Sequence, residues 1–234
     1  MNNLLEVRDI HTFIGQFHIL QGVTVNVPED SIVALLGRNG AGKTTTLKSI
    51  LGLTPPRQGK VIFAGSEIQN QRSFDIAAMG IGFVPEHRAI FRDLSVLENL
   101  KIAERQKGDL ERKVDFIFGL FPDLKRFYKL PGTRLSGGQQ QMLAIARALV
   151  PDNKLLLIDE PSEGLAPVLI EQMMTAIKQL SAKTTVIIVE QNFIVASHLS
   201  EHYVIIEEGR SVKNGLMADL AKDNETIQRY LGAA

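Results

Sequence analysis

The strongest constraint on the fold of this chain is the segment Gly37–Thr44, which reads GRNGAGKT. It matches the pattern G-x-x-x-x-G-K-S/T, in which glycines let backbone N–H groups surround phosphate oxygens and the following helix points its positive end at them. In this pattern Lys43 contributes a charge to the β- and γ-phosphates, and the Thr44 hydroxyl is a ligand of Mg²⁺. The apolar run Ser31–Leu36 indicates a buried strand before the segment, and Thr45–Leu51 indicates a helix after it. This context favours a phosphate-binding loop (P-loop) over a chance glycine-rich turn.

The remainder of the chain alternates predicted strands with predicted helices. Between Leu94 and about Val150 apolar residues recur at helical intervals, and Ser95–Glu98 has the spacing of a capping box, so this stretch is predicted to be helical. A single amphipathic helix is predicted for Met217–Leu231. Together these patterns predict a strand-rich α/β core with a helical insert near residues 90–150. Short apolar runs bounded by Gly, Pro or charge predict further strands at Leu4–Val7, Ile19–Val27, Gly59–Ala64, Leu155–Ile158, Thr185–Val189 and Tyr203–Ile206.

Composition excludes several classes of function. Lys plus Arg and Asp plus Glu both total 26, so the formal net charge is zero and gives no electrostatic footprint for nucleic acid. The chain has no cysteine, which excludes disulfides, thiolate catalysis and cysteine metal sites. Met1–Asp9 lacks the basic start and apolar stretch of a signal peptide, and no run of about 18 apolar residues occurs. We therefore expect neither a secretory leader nor a membrane span.

Two carboxylates follow the predicted strand Leu155–Ile158. In a chain with a P-loop, Asp159 is placed to hold Mg²⁺, and Glu160 to orient or deprotonate a water in line with the γ-phosphate. The alternative is a buried strand that ends in two solvated acids. The P-loop favours the first interpretation.

A second glycine-rich helix start lies at Leu135–Gln139, which reads LSGGQ. A serine and two glycines before a long amphipathic helix form an anion-binding helix N-terminus. The alternative is an N-cap preceded by a flexible turn. Because one P-loop already holds one nucleotide, a second phosphate-binding helix start needs a different explanation.

In this order, the motifs resemble those of ABC-type ATPases, whose signature is LSGGQ. In that family two subunits face head to tail, and each signature helix contacts the γ-phosphate held by the other subunit's P-loop. The resemblance implies an α/β fold of the P-loop NTPase class, in a single ABC ATPase domain. Residues 1–88 and 151–234 would form the P-loop core with an N-terminal antiparallel β portion, and about 89–150 an inserted α-helical subdomain.

The resemblance also assigns residues to ATP and Mg²⁺. Contacts with the ATP of the same chain are implied for Gly37, Arg38, Asn39, Gly40, Ala41, Gly42, Lys43, Thr44 and Thr45. Contacts with the partner's ATP are implied for Leu135, Ser136, Gly137, Gly138 and Gln139. Ligands of Mg²⁺ are implied to be Thr44, Asp159 and Glu86.

Two site positions depart from the commonest family pattern. Glu86, in the tetrapeptide FVPE, stands where Gln is usual, and Gln191, in VEQN, stands where His is usual. Glu86 would ligate Mg²⁺ or orient water as Gln does, but its charge repels the γ-phosphate unless the metal offsets it. Gln191 would donate a hydrogen bond to the γ-phosphate, although it gains no proton near pH ~6.5 as His does. Catalytic roles are therefore expected for Glu160, Gln191 and Glu86.

These departures point to a subgroup. VPE followed by IF and ENL, together with DEPS-x-GLAP and VEQN, is similar to the second ATPase subunit of branched-chain amino acid importers, the LivF kind. That resemblance implies integral membrane permease subunits, a second ABC ATPase that is a related chain or a copy of this one, and, indirectly, a periplasmic binding protein. It implies a cytoplasmic protein, peripheral on the inner face of the cell membrane. A urea or amide importer would carry a similar ATPase.

Two contacts stay open at this level. ABC ATPases commonly have a Tyr that stacks on adenine just before a Gly, but here Ile14 precedes Gly15, so Phe13 or Phe17 either stacks instead or belongs to the core. The second contact is with the permease. Ile90, Phe91 and Leu94 suit a groove that receives a short cytoplasmic helix of the membrane partner, and equally suit burial within the chain.

Two other classes of protein compete with a transport motor. A soluble ABC ATPase acting on DNA or ribosomes generally carries coiled-coil insertions, zinc modules or two cassettes, none of which is evident, and the neutral charge disfavours nucleic acid as a partner. A simple P-loop kinase is disfavoured by the signature motif. A transport motor is the interpretation that accounts for all the motifs.

Overall fold

The structure, a computed structural model, describes residues 2–232. Within that range the strands are β1 (Asn3–Ile14), β2 (Phe17–Pro28), β3 (Ile32–Leu36), β4 (Gln58–Phe63), β5 (Ser66–Glu67), β6 (Ile81–Val84), β7 (Leu155–Asp159), β8 (Thr185–Glu190), β9 (His202–Glu207) and β10 (Arg210–Leu216). The α-helices are α1 (Lys43–Ile50), α2 (Ser73–Ala78), α3 (Val96–Lys101), α4 (Asp109–Leu120), α5 (Pro122–Arg126), α6 (Gly137–Leu149), α7 (Pro167–Ser181), α8 (Phe193–Leu199), α9 (Met217–Leu220) and α10 (Asn224–Leu231). A 3₁₀ turn covers Gly132–Arg134.

A six-stranded sheet forms the centre of the molecule. Its strand order is β10-β9-β3-β8-β7-β6, and all neighbouring pairs are parallel except the β9–β10 hairpin. Every residue of β3, β7 and β8 is buried, because this sheet is covered on both faces, and this explains their nearly continuous apolar sequences. The carboxyl ends of β3, β8, β7 and β6 therefore lie side by side at one edge of the sheet.

A second sheet confirms the predicted antiparallel portion at the N-terminus. Its order is β2-β1-β4-β5, with every pair antiparallel. The two sheets share a core to which β3 contributes Val33 and Leu35 and β1 contributes Leu5 and Val7. The other side chains of β3, including Ala34, face a second core formed with the helices. β3, which leads into the P-loop, is thus held from both sides.

The chain between β6 and β7 is helical, as its sequence predicts, and contains α3 to α6. The capping box expected at Ser95 is present. The Glu98 N–H donates to the Ser95 hydroxyl at 3.2 Å, and the Ser95 N–H donates to the Glu98 carboxylate at 2.8 Å. Leu100, Ile117 and Leu143 join one apolar core with the central sheet, so the start of α6 has a fixed place relative to that sheet.

One predicted element is wrong. The stretch predicted as a single helix, Met217–Leu231, forms two helices, α9 and α10. The break lies at Asp223, whose carboxylate accepts the Thr226 N–H at 3.0 Å and so caps the start of α10. The apolar positions continue with helical spacing across this break, which is why periodicity alone did not reveal it. Within the part of the chain that the structure describes, no helix combines the length and apolar character needed to cross a bilayer.

Candidate nucleotide-binding site

The P-loop links β3 to α1, and its glycines are required for different reasons. Gly37, Gly40 and Gly42 all have positive φ angles, of 146°, 79° and 110°. A Cβ on Gly37 would lie 2.2 Å from the Ile206 carbonyl oxygen, so the backbone packs too closely there for any side chain. A Cβ on Gly40 would meet nothing within 4 Å. Gly40 is therefore where the loop faces open space, as approach by a phosphate requires.

Lys43 is held inside the loop. Its side chain is 4% exposed, and its ammonium donates to the carbonyl oxygens of Gly37 at 2.9 Å and Arg38 at 3.2 Å. It also lies 3.1 Å from the Glu160 carboxylate. A buried ammonium is tolerated only when it is paired in this way. The structure thus places the predicted phosphate-binding cation in contact with the predicted catalytic carboxylate.

Thr44 and Asp159 form a pair of hard oxygen donors. The Thr44 hydroxyl donates to the Asp159 carboxylate at 3.1 Å. Burial raises the pKa of Asp159 to about 6; the Thr44 hydrogen bond opposes this effect, and the nearby Glu160 and Glu86 carboxylates add to it. A cation beside this buried carboxyl group would stabilise its ionised form.

These donors fit Mg²⁺ bound together with a nucleotide. Among residues 2–232, no group of three or more His, Asp or Glu side chains is arranged to hold a metal ion. Mg²⁺ commonly takes only one or two protein oxygens and completes its shell with water and phosphate. Thr44 and Asp159 would hold such an ion, which would supply positive charge to the phosphates of the substrate.

Lys43, Thr44, Glu86 and Glu160 line one cleft of about 450 Å³, together with Asn39, Gly40, Gly42, Thr45 and Glu163. The sheet order explains this, because the P-loop, Glu160 and Glu86 follow parallel strands whose carboxyl ends share one edge. Two predicted ATP contacts do not reach the cleft with their side chains. Arg38 turns to the Arg229 carbonyl oxygen at 3.2 Å, and Ala41 is buried.

Gln191 lies on the other side of Glu160. It lines a neighbouring cleft of about 770 Å³, together with Glu160 and residues of α10. Glu160 borders both clefts, while Gln191 borders only the second. The structure therefore places Gln191 in the same cleft as the predicted catalytic residue Glu160, but not in the P-loop cleft.

The signature residues Leu135–Gln139 stand apart from the P-loop cleft of the same chain, and none of the five lines it. Ser136 is the N-cap of α6, and its capping box pairs the Ser136 N–H with the Gln139 side-chain oxygen at 3.0 Å. A Cβ on Gly138 would lie 2.1 Å from Cδ1 of Leu169 in α7. A side chain at this position would displace the end of the Leu169 side chain, a contact between helices that the sequence did not reveal.

Neither candidate aromatic lines the P-loop cleft. Phe13 stacks on His18 with ring centroids 4.2 Å apart, and the Arg57 guanidinium lies 4.4 Å from its ring centroid. Phe17 is 66% exposed at the β1–β2 turn. The apolar wall of the cleft is instead formed by Ile14 and Ile19.

The predicted docking residues lie beside a groove of about 360 Å³ rather than along it. Phe83, Pro85, Ala103 and Arg147 are among the residues that line this groove, whereas Ile90, Phe91 and Leu94 are not. Ile90 packs against the core, and Phe91 is half exposed with the Arg147 guanidinium 4.9 Å from its ring centroid.

One polar contact beside the site has no counterpart in the motif analysis. Glu190, the last residue of β8, is 1% exposed and accepts hydrogen bonds from the backbone and hydroxyl of Ser162. Burial raises the pKa of Glu190 to about 7, although the bonds from Ser162 oppose this effect. An acid at the end of an otherwise apolar strand was the signal available in the sequence.

Comparison with known proteins agrees with this geometry. The model of the family described as ABC transporter matches residues 20–163, more than half of the chain. The chain belongs to this family and is one of its ATP-hydrolysing cassettes. It is 39% identical to the high-affinity branched-chain amino acid transport ATP-binding protein BraG of Pseudomonas aeruginosa, over 98% of this chain and 100% of that protein. It is 37% identical to the probable branched-chain amino acid transport ATP-binding protein LivF of Archaeoglobus fulgidus, over 93% of this chain and 94% of that protein.

A solved structure supports the fold independently. A nucleotide-free ATP-binding cassette from an ABC transporter superimposes with a TM-score of 0.88, at 24% identity, over 98% of each chain. At that identity the likeness establishes the ABC cassette fold and nothing finer.

Proposed function

We propose that this chain is the ATPase subunit of a branched-chain amino acid importer, and that it hydrolyses ATP in the cleft described above. The observation that carries the proposal is the convergence of Lys43, Thr44, Asp159 and Glu160 at the carboxyl edge of the central sheet. The substrate class is supported by the two relatives of nearly full length whose names specify branched-chain amino acid transport.

Each side chain has a proposed task in that cleft. The P-loop N–H groups and Lys43 bind the phosphates, for which Lys43 exchanges the carbonyl oxygens and carboxylate that it now contacts. Thr44 and Asp159 hold Mg²⁺. Glu160 accepts a proton from the attacking water or orients it. Glu86 orients water or supplements the metal site, and Gln191 donates to the γ-phosphate from beyond Glu160.

The position of the signature supports a two-chain assembly. Leu135–Gln139 does not line the P-loop cleft of its own chain, so its helix start is available to a nucleotide held by another chain. That chain is a copy of this one or a related ATPase. Head-to-tail pairing would place each nucleotide between one P-loop and one signature helix.

The apolar groove beside Phe83 and Arg147 is the proposed docking surface for the permease subunits. The chain would thus work at the cytoplasmic face of the membrane, beneath the permease subunits, and a periplasmic binding protein would act through them. In this assembly the helical segment between β6 and β7 would pass the motion of the ATPase to the membrane.

Glu160→Gln tests the catalytic assignment. The amide keeps the shape of the side chain but accepts a proton poorly, so we expect ATP to bind and its hydrolysis to fall by about 100-fold or more. Steady-state phosphate release and ATP binding to the same preparation measure the two effects separately. Wild-type turnover in this variant would remove Glu160 from its role.

Cellular uptake tests the cargo. Deletion of the gene should abolish uptake of labelled leucine, and the wild-type gene, but not its Glu160→Gln form, should restore it. Labelled urea and acetamide provide the comparison. Loss of urea or amide uptake with leucine uptake intact would assign the ATPase to that class of importer instead.

A further inference from the structure

Glu190 connects two segments that carry proposed catalytic residues. One of its carboxylate oxygens accepts the Ser162 backbone N–H at 3.2 Å, and the other accepts the Ser162 hydroxyl at 2.9 Å. Ser162 is the second residue after Glu160, and Gln191 is the next residue after Glu190. The contact therefore spans from the loop that follows β7 to the point where the chain leaves β8.

The neighbouring backbone strengthens this connection. The Glu160 N–H donates to the Val189 carbonyl oxygen at 3.0 Å, so Val189 and Glu190 bind positions 160 and 162 respectively. Glu160 has a φ angle of 43°, in the left-handed region, where a residue with a side chain is held only by its surroundings. The direction of the Glu160 side chain thus depends on how the end of β8 holds the loop.

We propose that Glu190 is a positioning residue for ATP hydrolysis. Through Ser162 it fixes the segment that carries Glu160. Because Glu190 is joined by a peptide bond to Gln191, the same contact links that segment to Gln191, the proposed hydrogen-bond donor to the γ-phosphate. This inference rests on the roles proposed above for Glu160 and Gln191. Its physical basis is that a catalytic carboxylate and a hydrogen-bond donor to the γ-phosphate act together only if their separation is fixed.

An ordinary buried contact would also stabilise the fold, so stability alone is not the test. The two interpretations differ in which kinetic constant changes. Loss of positioning lowers kcat and leaves nucleotide affinity intact, because Lys43 and the P-loop glycines are untouched. Loss of a merely structural contact lowers stability without a selective effect on kcat.

Three variants of the full chain separate these effects. Glu190→Leu removes both acceptors, and we expect kcat to fall about ten-fold or more while the Kd for MgADP stays within about two-fold. Glu190→Gln keeps an acceptor for the Ser162 N–H and offers its amide to the hydroxyl, so kcat should remain within about three-fold of wild type. Ser162→Ala, which removes only the hydroxyl, should lower kcat by about three-fold.

Ser200→Ala is the matched control. The Ser200 hydroxyl is buried and, like that of Ser162, donates one hydrogen bond, here to the Ala196 carbonyl oxygen at 2.7 Å and away from the cleft. It should lose stability without a change in kcat. In the double variant Glu190→Leu/Ser162→Ala, kcat should be no lower than in Glu190→Leu alone, because both changes break the same contact.

Several results would overturn the inference. One is unchanged kcat in both Glu190→Leu and Ser162→Ala; another is a parallel loss of kcat and MgADP affinity that Ser200→Ala reproduces. If Glu190→Leu does not fold, Ser162→Ala and Glu190→Gln decide the question. Glu160→Gln is assayed alongside. Retained turnover in Glu160→Gln would refute the proposed catalytic role of Glu160. If Glu160→Gln loses turnover while Glu190→Leu and Ser162→Ala keep the wild-type kcat, only the positioning role is refuted.

Discussion

The P-loop and the signature segment both place glycines at the start of a helix, but different groups satisfy the two helix starts. At α1 the N-cap is Gly42, which has a φ angle of 110° and offers no side chain to the N–H groups of the first turn. At α6 the N-cap is Ser136, which forms a reciprocal capping box with Gln139. The first helix start has no side-chain cap, whereas the second is partly satisfied within the chain.

The residues that surround the two segments also differ. The P-loop faces a cleft that gathers one buried lysine and three carboxylates from its own chain, Glu86, Glu160 and Glu163. The signature helix has its second glycine pressed against Leu169, and it borders no such cluster. The comparison teaches that two glycine-rich helix starts of one chain can have different surroundings, a cleft with a buried lysine and carboxylates at one and a neighbouring helix at the other.

The largest expected effect is at the P-loop. Lys43→Ala removes the buried ammonium, and because a hydrogen bond from a charged donor contributes about 1.5–3 kcal/mol, ATP affinity should fall on the order of 100-fold. Lys48→Ala, which removes an exposed lysine of the same helix, is the control and should bind normally. Calorimetric titration with MgADP measures both. Normal affinity in Lys43→Ala would show that the P-loop cleft is not the nucleotide site.

The second prediction concerns the signature and compares the capping boxes of α3 and α6. Ser136→Ala and Ser95→Ala each remove an N-cap hydroxyl, which should lower stability by about 1 kcal/mol in both. Only Ser136→Ala should lower ATP turnover, by about ten-fold or more, because only that hydroxyl is proposed to contact a phosphate. Thermal unfolding and steady-state ATPase assays supply the two readouts. Equal ATP turnover in Ser136→Ala and Ser95→Ala would mean that the Ser136 hydroxyl serves only to cap the helix.

The sequence predicted where the P-loop and the carboxylates after β7 lie, but not the contact between Ser162 and Glu190, for a physical reason. Residues 37–44 and the pair Asp159 and Glu160 follow apolar strands directly, so local pattern fixes both their type and their position. The contact between Ser162 and Glu190 joins residues 28 positions apart and depends on β8 lying beside β7. Strand order is a property of the whole sheet and is not written in any one segment.

Long-range packing also explains the other differences between the predicted and the observed structure. Leu220 and Ile227 lie seven positions apart, which is a helical spacing, although Asp223 breaks the helix between them. The close contact at Gly138 is with Leu169 of α7, a helix that lies later in the chain and packs against the start of α6. Periodicity reports which face of an element is buried, but not what packs against that face.

A third prediction tests whether the signature glycines serve packing. Gly138→Ala forces the end of the half-buried Leu169 side chain to move, and such overpacking should destabilise the protein by about 1 kcal/mol. Gly119→Ala in α4 is the control, because a Cβ there meets nothing within 4 Å and alanine favours a helix by about 0.5–1 kcal/mol. Urea unfolding distinguishes the two variants. A stable Gly138→Ala protein that hydrolyses ATP slowly would instead assign that glycine to the nucleotide.

The smallest expected effect lies at the base end of the P-loop cleft, where the site is least complete. Ile14 is 50% exposed and lines the cleft, whereas Phe13 is engaged by His18 and Arg57. An aliphatic wall gives a purine base no aromatic stacking partner, so wild-type turnover of GTP should approach that of ATP.

Ile14→Tyr should lower the KM for ATP by about three- to ten-fold, since a stacked aromatic pair contributes about 0.5–1.5 kcal/mol. Phe13→Ala should leave the ratio of ATP to GTP turnover unchanged. A strong ATP preference that Phe13→Ala abolishes would mean that Phe13 leaves its contacts to stack on the base when nucleotide binds.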